Sequence, residues 1–216
     1  MLTVCCVRTG TKYGPDYVWR LQAMVSRHLA EAHQFICFTD DPASLTGIQT
    51  VDIGRASPGW WGKMELFGWQ AKSRLPMVYL DLDTVIVGSL APLARLDVEF
   101  GICGSFTRAA GIHGWPCQYG SCAMVMAAGF GGHIAAAWKA DRVGLMQSAG
   151  RYGDQMVVEL LHPSATILQD ALPEGYFLGY RDITERQPKG CAVVVFAGSH
   201  KPHNCEEKWI RDAWTL

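Results

Sequence analysis

The sequence predicts one α/β domain with a mixed, mostly parallel sheet and helices on both faces. Short apolar runs alternate with segments of helical spacing through the first half of the chain, which is typical of parallel strands joined by helices. The 216 residues are enough to bury one sizeable core. Hydrophobic residues make up 49% and charged residues 18%, a composition that excludes a disordered or coiled-coil protein.

The elements of the first half are predicted from where apolar residues run on and where they recur at helical spacing. Short apolar runs predict strands at residues 2–7, 35–38, 77–80 and 84–87, and residues 48–53 are predicted as a further strand. Helical spacing predicts helices at residues 17–29 and 63–72. The segment Ser57-Pro-Gly-Trp-Trp-Gly breaks the chain before the second helix, because Pro and Gly interrupt regular structure.

The second half of the chain is less regular. Its apolar runs predict strands at residues 121–127 and 192–197, and its spacing predicts helices at residues 133–143 and 154–161. We find no internal repeat and no low-complexity linker. We therefore expect a single domain over residues 1–216.

Charge and cysteine usage restrict the cellular context. The net charge is −1, from 19 basic and 20 acidic residues, so no global positive field would hold a nucleic acid. The first residues lack the basic and apolar regions of a signal peptide, and no apolar stretch is long enough to span a membrane. The eight cysteines form no C-x-x-C motif. We expect a reduced, cytoplasmic protein.

Two aspartates, Asp81 and Asp83, interrupt the otherwise apolar segment of residues 78–87. Burying unpaired carboxylates is costly, and a shared divalent cation would neutralise both. Residues i and i+2 point to one face of an extended chain, and the carboxyl end of a strand is where ligands bind in open α/β sheets. Oxygen ligands favour Mg²⁺ or Mn²⁺. The alternative is a pair of aspartates that caps a turn.

Haloacid-dehalogenase-like phosphatases form one enzyme class that uses such a pair. In those enzymes the motif closes the first strand, and its first aspartate is a nucleophile. Here three predicted strands, at residues 2–7, 35–38 and 48–53, come before the strand that ends at the pair. A phosphatase therefore remains only an alternative.

Further motifs before and after the aspartate pair point to a second enzyme class. Arg8-Thr-Gly-Thr-Lys-Tyr13 follows the first predicted strand, Phe38-Thr-Asp40 closes the second, and Gly62-Lys-Met-Glu-Leu opens a helix. Tyr79-Leu-Asp-Leu-Asp83 comes next, followed by Gly153-Asp-Gln155 and Phe196-Ala-Gly-Ser-His-Lys-Pro-His203. In this order they resemble glycosyltransferase family 8 and its bacterial and phage relatives, nucleotide-sugar enzymes of the Rossmann-like GT-A fold.

The resemblance implies a metal-dependent transferase that moves a hexose from a UDP-sugar with retention of configuration. Residues 1–90 would form the nucleotide-binding half, and residues 91–216 the acceptor-side half with the C-terminal loop. The acceptor stays open between a saccharide, a protein and a modified nucleobase, and the near-neutral charge counts against nucleic acid. A nucleotide-sugar-binding protein that has lost catalysis is a further alternative.

The resemblance also assigns residues to the donor and to the reaction. The donor-binding residues would be Thr9, Gly10, Tyr13, Thr39, Asp40, Lys63, Asp81, Leu82, Gly198 and Lys201. Asp154 and Gln155 would act beside the transferred sugar, and Lys201 would stabilise the leaving diphosphate. The ordinary alternatives are a solvated loop lysine for Lys201 and a helix cap for Asp154.

The metal ligands implied by the resemblance are incomplete in this sequence. Asp83 would bind the metal directly, and Asp81 would be shared between the metal and the ribose. Val195 stands where the family has a ligating histidine. Since His200 and His203 follow shortly after, we expect one of them to supply the third ligand.

Two adjacent tryptophans, Trp60 and Trp61, lie in the Gly- and Pro-rich segment before the second predicted helix. They could form a sugar platform, an anchor at a membrane surface, or part of the core. The sequence does not choose between these roles.

Overall fold

The computed structural model describes residues 1–106, 116–183 and 186–216. Within them the strands are β1 (Leu2–Arg8), β2 (His33–Thr39), β3 (Gln49–Asp52), β4 (Met77–Leu80), β5 (Val85–Ile86), β6 (Phe100–Gly104), β7 (Tyr119–Met126), β8 (Thr166–Ile167), β9 (Phe177–Gly179) and β10 (Val193–Val195). The helices are α1 (Pro15–His28), α2 (Met64–Gln70), α3 (Ala91–Ala94), α4 (Gly132–Ala140), α5 (Arg142–Ala149), α6 (Asp154–Leu161), α7 (Leu168–Ala171) and α8 (Lys208–Ala213).

The central sheet has the strand order β3-β2-β1-β4-β7-β6-β8. Its first four strands are parallel, β7 runs antiparallel to β4 and β6, and β8 is parallel to β6. A smaller sheet has the order β5-β10-β9. The predicted mixed, mostly parallel α/β fold is confirmed.

Alternation along the strands divides the core into two layers. In β1, Val4 and Cys6 pack into one layer with α1, α8 and the small sheet, whereas Cys5 and Val7 pack into the other with α2, α4 and α6. This period of two is what a strand with helices on both faces requires. β7 pairs directly with β4, so one sheet contains strands from both predicted halves of the domain. The predicted division into a nucleotide-binding and an acceptor-side half at residue 90 stays a prediction.

Two helix predictions need correction. The helix predicted over residues 133–143 is two helices, because Asp141 leaves helical geometry and its side chain accepts a 2.9 Å hydrogen bond from the Gly144 amide at the start of α5. The helix predicted over residues 63–72 begins instead at Met64, after a 3₁₀ turn over Gly59–Lys63. No helix in the described residues is long and apolar enough to cross a membrane.

Candidate functional site

A cleft with a cavity volume of about 380 Å³ opens where β1 and β4 end. Val7 and Thr9 line it from the end of β1, and Asp81 to Asp83 from the end of β4. The remaining walls come from the first residues of β7, the start of α6, the segment around Trp60, and the loop that follows β10. The topology therefore brings distant sequence motifs to one edge of the sheet.

Asp81 is held by two donors at one oxygen. The Lys63 ammonium lies 2.8 Å from Asp81 Oδ1, and the Tyr79 hydroxyl donates to the same atom. Burial and the Asp81 carboxylate raise the pKa of Tyr79 well above its usual value, so this hydroxyl remains a donor. Lys63 also donates to the carbonyl and the hydroxyl of Ser121, each at 3.0 Å. Its three donors therefore have three partners.

Asp83 is held in a similar way by different elements. Its Oδ2 accepts hydrogen bonds from the Tyr13 hydroxyl and the Lys201 ammonium, both at 2.7 Å. Burial, followed by the Asp83 carboxylate, raises the pKa of Tyr13. One carboxylate oxygen thus joins the loop after β1 to the C-terminal loop.

Asp154 supplies a third carboxylate at the first residue of α6. Its side chain is buried, and Oδ2 lies 3.9 Å from the Lys63 ammonium with no hydrogen-bond partner in the described residues. Burial raises the pKa of Asp154, although Lys63 acts in the opposite direction. The N-cap of α6 is Gly153, so Asp154 is not the capping residue. Because Asp154 lines the cleft, its carboxylate can accept a hydrogen bond from a bound group.

The other residues that were predicted to bind the sugar donor or to act beside the transferred sugar fall into two groups. Thr9, Tyr13, Lys63, Leu82, Gln155 and Gly198 line the cleft. Asp40 instead accepts the Gly10 amide at 3.1 Å, and the Thr39 hydroxyl accepts the Asp41 amide at 3.1 Å. These bonds order the loops behind the cleft wall. Lys201 reaches the site through Asp83.

The two histidines proposed as the third metal ligand have other contacts. His203 Nδ1 shares a hydrogen bond with the Tyr17 hydroxyl, and the His200 ring lies 5.4 Å from the Tyr180 ring. Across the described ranges, no group of three or more His, Cys, Asp or Glu side chains is placed to hold a metal ion. A histidine ligand therefore stays a prediction.

The two aspartates still fit a hard divalent cation by their chemistry. Their hydrogen bonds use Asp81 Oδ1 and Asp83 Oδ2, and no described residue donates to Asp81 Oδ2 or Asp83 Oδ1. Asp81 and Asp83 lie in the turn that follows β4, closed by a 3.1 Å hydrogen bond from the Thr84 amide to the Asp81 carbonyl, rather than on the expected extended chain. Carboxylate oxygens are ligands of the type that Mg²⁺ and Mn²⁺ prefer. The chain supplies this pair, and the remaining positions would fall to phosphate oxygens and water.

Sequence reasoning missed the groups that hold Lys63 and Asp81. Tyr79 lies two residues before Asp81 on the same face of β4, a spacing that could have indicated the contact. Ser121 could not be found in this way, because its contact with Lys63 spans 58 residues and depends on β7 pairing with β4.

No protein-family model matches the sequence, and no curated protein sequence matches it. Solved structures do match. An active-site mutant of LgtC superposes with a TM-score of 0.68 at 12% identity, covering 96% of this chain and 91% of that chain. The galactosyltransferase LgtC in complex with donor and acceptor sugar analogues gives 0.67 at 12% identity, covering 100% of this chain and 97% of that one.

The glycosyltransferase GlyE of Streptococcus pneumoniae TIGR4 gives a TM-score of 0.67 at 13% identity. The match covers 99% of this chain and 60% of GlyE. At such low identity these likenesses concern the fold. The chain has the GT-A fold that the order of its sequence motifs predicts.

Proposed function

We propose that this chain is a glycosyltransferase that moves a hexose from a UDP-sugar to an acceptor. The observation that supports this most directly is the pair Asp81 and Asp83, each ion-paired with a lysine in the cleft of a GT-A fold. The neighbouring structures add support, since one of them is a galactosyltransferase in complex with donor and acceptor sugar analogues.

In this reaction the bond between the anomeric carbon and the diphosphate oxygen breaks, and the electron pair leaves with UDP. A new bond joins the anomeric carbon to an acceptor oxygen, and the proton of that hydroxyl passes to the departing diphosphate. Lys201 would stabilise the charge that develops on the diphosphate, because its ammonium has three donors and its described side-chain partner is Asp83. Tyr13 would keep Asp83 in place while Lys201 engages the phosphates.

Asp81 and Asp83 would hold Mg²⁺ or Mn²⁺, which would supply Lewis-acid stabilisation of the leaving diphosphate. Lys63 fixes the orientation of Asp81 and lies beside Asp154. Because Asp154 and Gln155 face the same cleft, they would contact the transferred sugar. Retention of configuration rests on the sequence resemblance alone.

Calorimetric titration with UDP tests the donor and the metal together. We expect UDP to bind in the presence of Mn²⁺ and to lose at least about 10-fold in affinity with EDTA or in Asp83→Asn. Asp212→Asn is the matched control, because Asp212 is an exposed aspartate paired with Lys208. Equal affinity with and without Mn²⁺ would contradict the metal proposal.

Slow release of hexose from UDP-glucose or UDP-galactose tests catalysis without knowledge of the acceptor. A transferase should release hexose at a low rate, because water can replace the acceptor. UDP binding without any release would favour a binding protein that has lost catalysis. Release of phosphate from a simple phosphate ester would instead favour the phosphatase alternative.

A further inference from the structure

We propose that Trp60 forms a platform that stacks on a neutral pyranose ring of the acceptor, which makes the acceptor a saccharide. The inference rests on the proposed function and adds the acceptor class to it. It starts from an exposed aromatic side chain: Trp60 is 52% exposed and lines the cleft together with Lys63 and Asp154. A large apolar ring open to water inside a functional cleft is a surface for ligand contact.

The indole of Trp60 is held by its neighbours before any ligand arrives. Its ring meets the Trp61 ring edge-on at 6.4 Å, and Trp61 is itself stacked on Trp138 at 5.7 Å. The preceding residue is fixed as well, because the Thr9 hydroxyl donates a 2.9 Å hydrogen bond to the Gly59 carbonyl. A ring that is already ordered loses little entropy on binding.

A glycine places this indole against the segment that leads to Asp154. Gly153 has a φ of +72°, and a Cβ at this position would lie 3.1 Å from Trp60 Nε1. Only a residue without a side chain permits both the backbone conformation and the close approach. A ring stacked on Trp60 would therefore lie next to Asp154, where the transferred sugar is proposed to react.

A second aromatic side chain borders the same part of the cleft. Tyr152 precedes Gly153 and lines the cleft, and the Arg151 guanidinium lies 5.1 Å from the centre of the Tyr152 ring. Asp81 and Asp83 follow β4, and Lys201 follows β10. Trp60 lies at the start of the 3₁₀ turn that ends at Lys63, and Tyr152 ends the 3₁₀ turn before α6. The cleft thus has charged groups for a diphosphate and aromatic side chains for the C–H face of a sugar ring.

The charges beside the platform favour a neutral ring over a nucleobase. Binding of a nucleic acid strand combines stacking with cations that contact the phosphates. The cations that line the described cleft are Lys12, Lys63 and Arg151. Lys201 also reaches the cleft, where it pairs with Asp83, and Lys63 is committed to Asp81 and Ser121. Lys12 lies over the Tyr13 ring, so Arg151 alone among these cations is left beside Tyr152 and the platform. A pyranose needs no such cations, since it offers a face of C–H groups to the indole.

Saturation-transfer NMR with simple glycosides tests the proposal. The probes are methyl β-galactopyranoside, methyl β-glucopyranoside and lactose, with UDP and Mn²⁺ present. We expect transfer to the C–H protons of one ring face for at least one probe. Trp60→Ala should weaken that binding by about 10-fold, which corresponds to about 1.4 kcal/mol of stacking, and Trp60→Phe should retain part of it. Leu160→Ala removes an exposed apolar side chain outside the cleft lining and is the matched control.

The affinity for UDP separates this inference from the proposed function. UDP should bind Trp60→Ala as it binds the wild type, and a thermal melt should show the variant folded. An equal loss of UDP affinity would assign Trp60 to the donor and overturn the inference. So would unchanged glycoside binding in Trp60→Ala, no saturation transfer in the wild type, or Trp60-dependent binding of a single-stranded oligonucleotide or a phosphatidylcholine vesicle. Failure of the wild type to bind UDP would instead contradict the proposed function.

Discussion

Asp81 pairs with Lys63, which precedes β4 in the sequence, and Asp83 pairs with Lys201, which follows β10. Lys63 is buried, and the Asp154 and Asp81 carboxylates raise its pKa despite the opposing effect of burial. Three carboxylates therefore face two ammonium groups. Removing either lysine would leave a buried carboxylate without its ion-pair partner.

Replacing Lys63 with methionine should destabilise the fold. The change leaves Asp81 and the buried Asp154 without their cation, and breaking a buried pair from one side costs about 3–5 kcal/mol. The measurement is the free energy of unfolding in urea. Lys72→Met, at an exposed lysine of the same region, should change it by less than about 0.5 kcal/mol.

The double variant Lys63→Met/Asp154→Asn separates charge from packing. Removing the Asp154 charge as well should restore part of the lost free energy of unfolding, because Lys63 and Asp154 interact with each other. Additive losses in the single and double variants would mean that Lys63 does not stabilise Asp154.

Replacing Lys201 with alanine should affect phosphate binding selectively. If Lys201 contacts the diphosphate, Lys201→Ala should lower the affinity for UDP by about 10-fold or more, while the affinity for uridine should change by less than about 2-fold. Calorimetry with both ligands measures the difference. Lys208→Ala, at an exposed lysine paired with Asp212, is the control. Equal losses for UDP and uridine would place Lys201 away from the phosphates.

At the scale of elements, the sequence predicts the strands that lie in continuous apolar runs. β1, β2, β4, β7 and β10 lie in apolar runs, and the prediction places each of them. β6 was missed because its sequence, Phe-Gly-Ile-Cys-Gly, carries two glycines, which read as a loop. β8 and β9 have only two and three residues, too few to show a period.

In the candidate site, residues that are close in the sequence could be predicted, whereas contacts between distant residues could not. The pair Asp81 and Asp83 is visible in the sequence, because both residues interrupt one apolar segment. The contact between Lys201 and Asp83 spans 118 residues, so it depends on how β10 and its loop return to β4. Motif order indicated which segments would meet, but not which side chains would form ion pairs.

The contact between α4 and α6 predicts a pH dependence of stability. His133 Nε2 and His162 Nδ1 lie 3.3 Å apart. Burial, followed by His133, lowers the pKa of His162 below 6.5, and Glu99 acts in the opposite direction. The unfolded chain then binds the proton more readily than the folded chain. Stability is therefore lost as the pH falls through about 6.5 towards the lower folded pKa.

Replacing His162 with glutamine should reduce this loss. The measurement is the free energy of unfolding at about pH 7.5 and about pH 5.5, and the wild type should lose more than His162→Gln. Some dependence should remain, because burial also lowers the pKa of His28. His33→Gln is the control, since the His33 ring contacts the Glu31 carbonyl rather than another imidazole. Equal losses in the wild type and His162→Gln would contradict the prediction.

At the scale of the whole molecule, the cysteines lie throughout the two core layers. All eight are buried and unpaired. Buried free cysteines of this kind pack as small apolar residues. The cytoplasmic location inferred from the sequence stays a prediction, because unpaired thiols are compatible with it but do not establish it.

This arrangement predicts that thiol chemistry reports global unfolding. Burial raises the pKa of Cys191 to about 11 and that of Cys117 to about 12, and the thiolate is the reactive form. In the folded chain all eight thiols should therefore react slowly with an aromatic disulfide reagent at neutral pH. In guanidinium all eight thiols should react rapidly, without prior treatment with a reductant.

The rate of reaction of the native chain should follow the population of unfolded molecules as denaturant is raised, because each thiol becomes accessible only when its core layer opens. Ser148→Cys adds a thiol at an exposed position of α5, and one equivalent should then react rapidly, which shows that the reagent itself is not limiting. Rapid reaction of several thiols in the folded wild type would mean that a core layer opens locally. Fewer than eight thiols after unfolding without reductant would mean that some cysteines are paired.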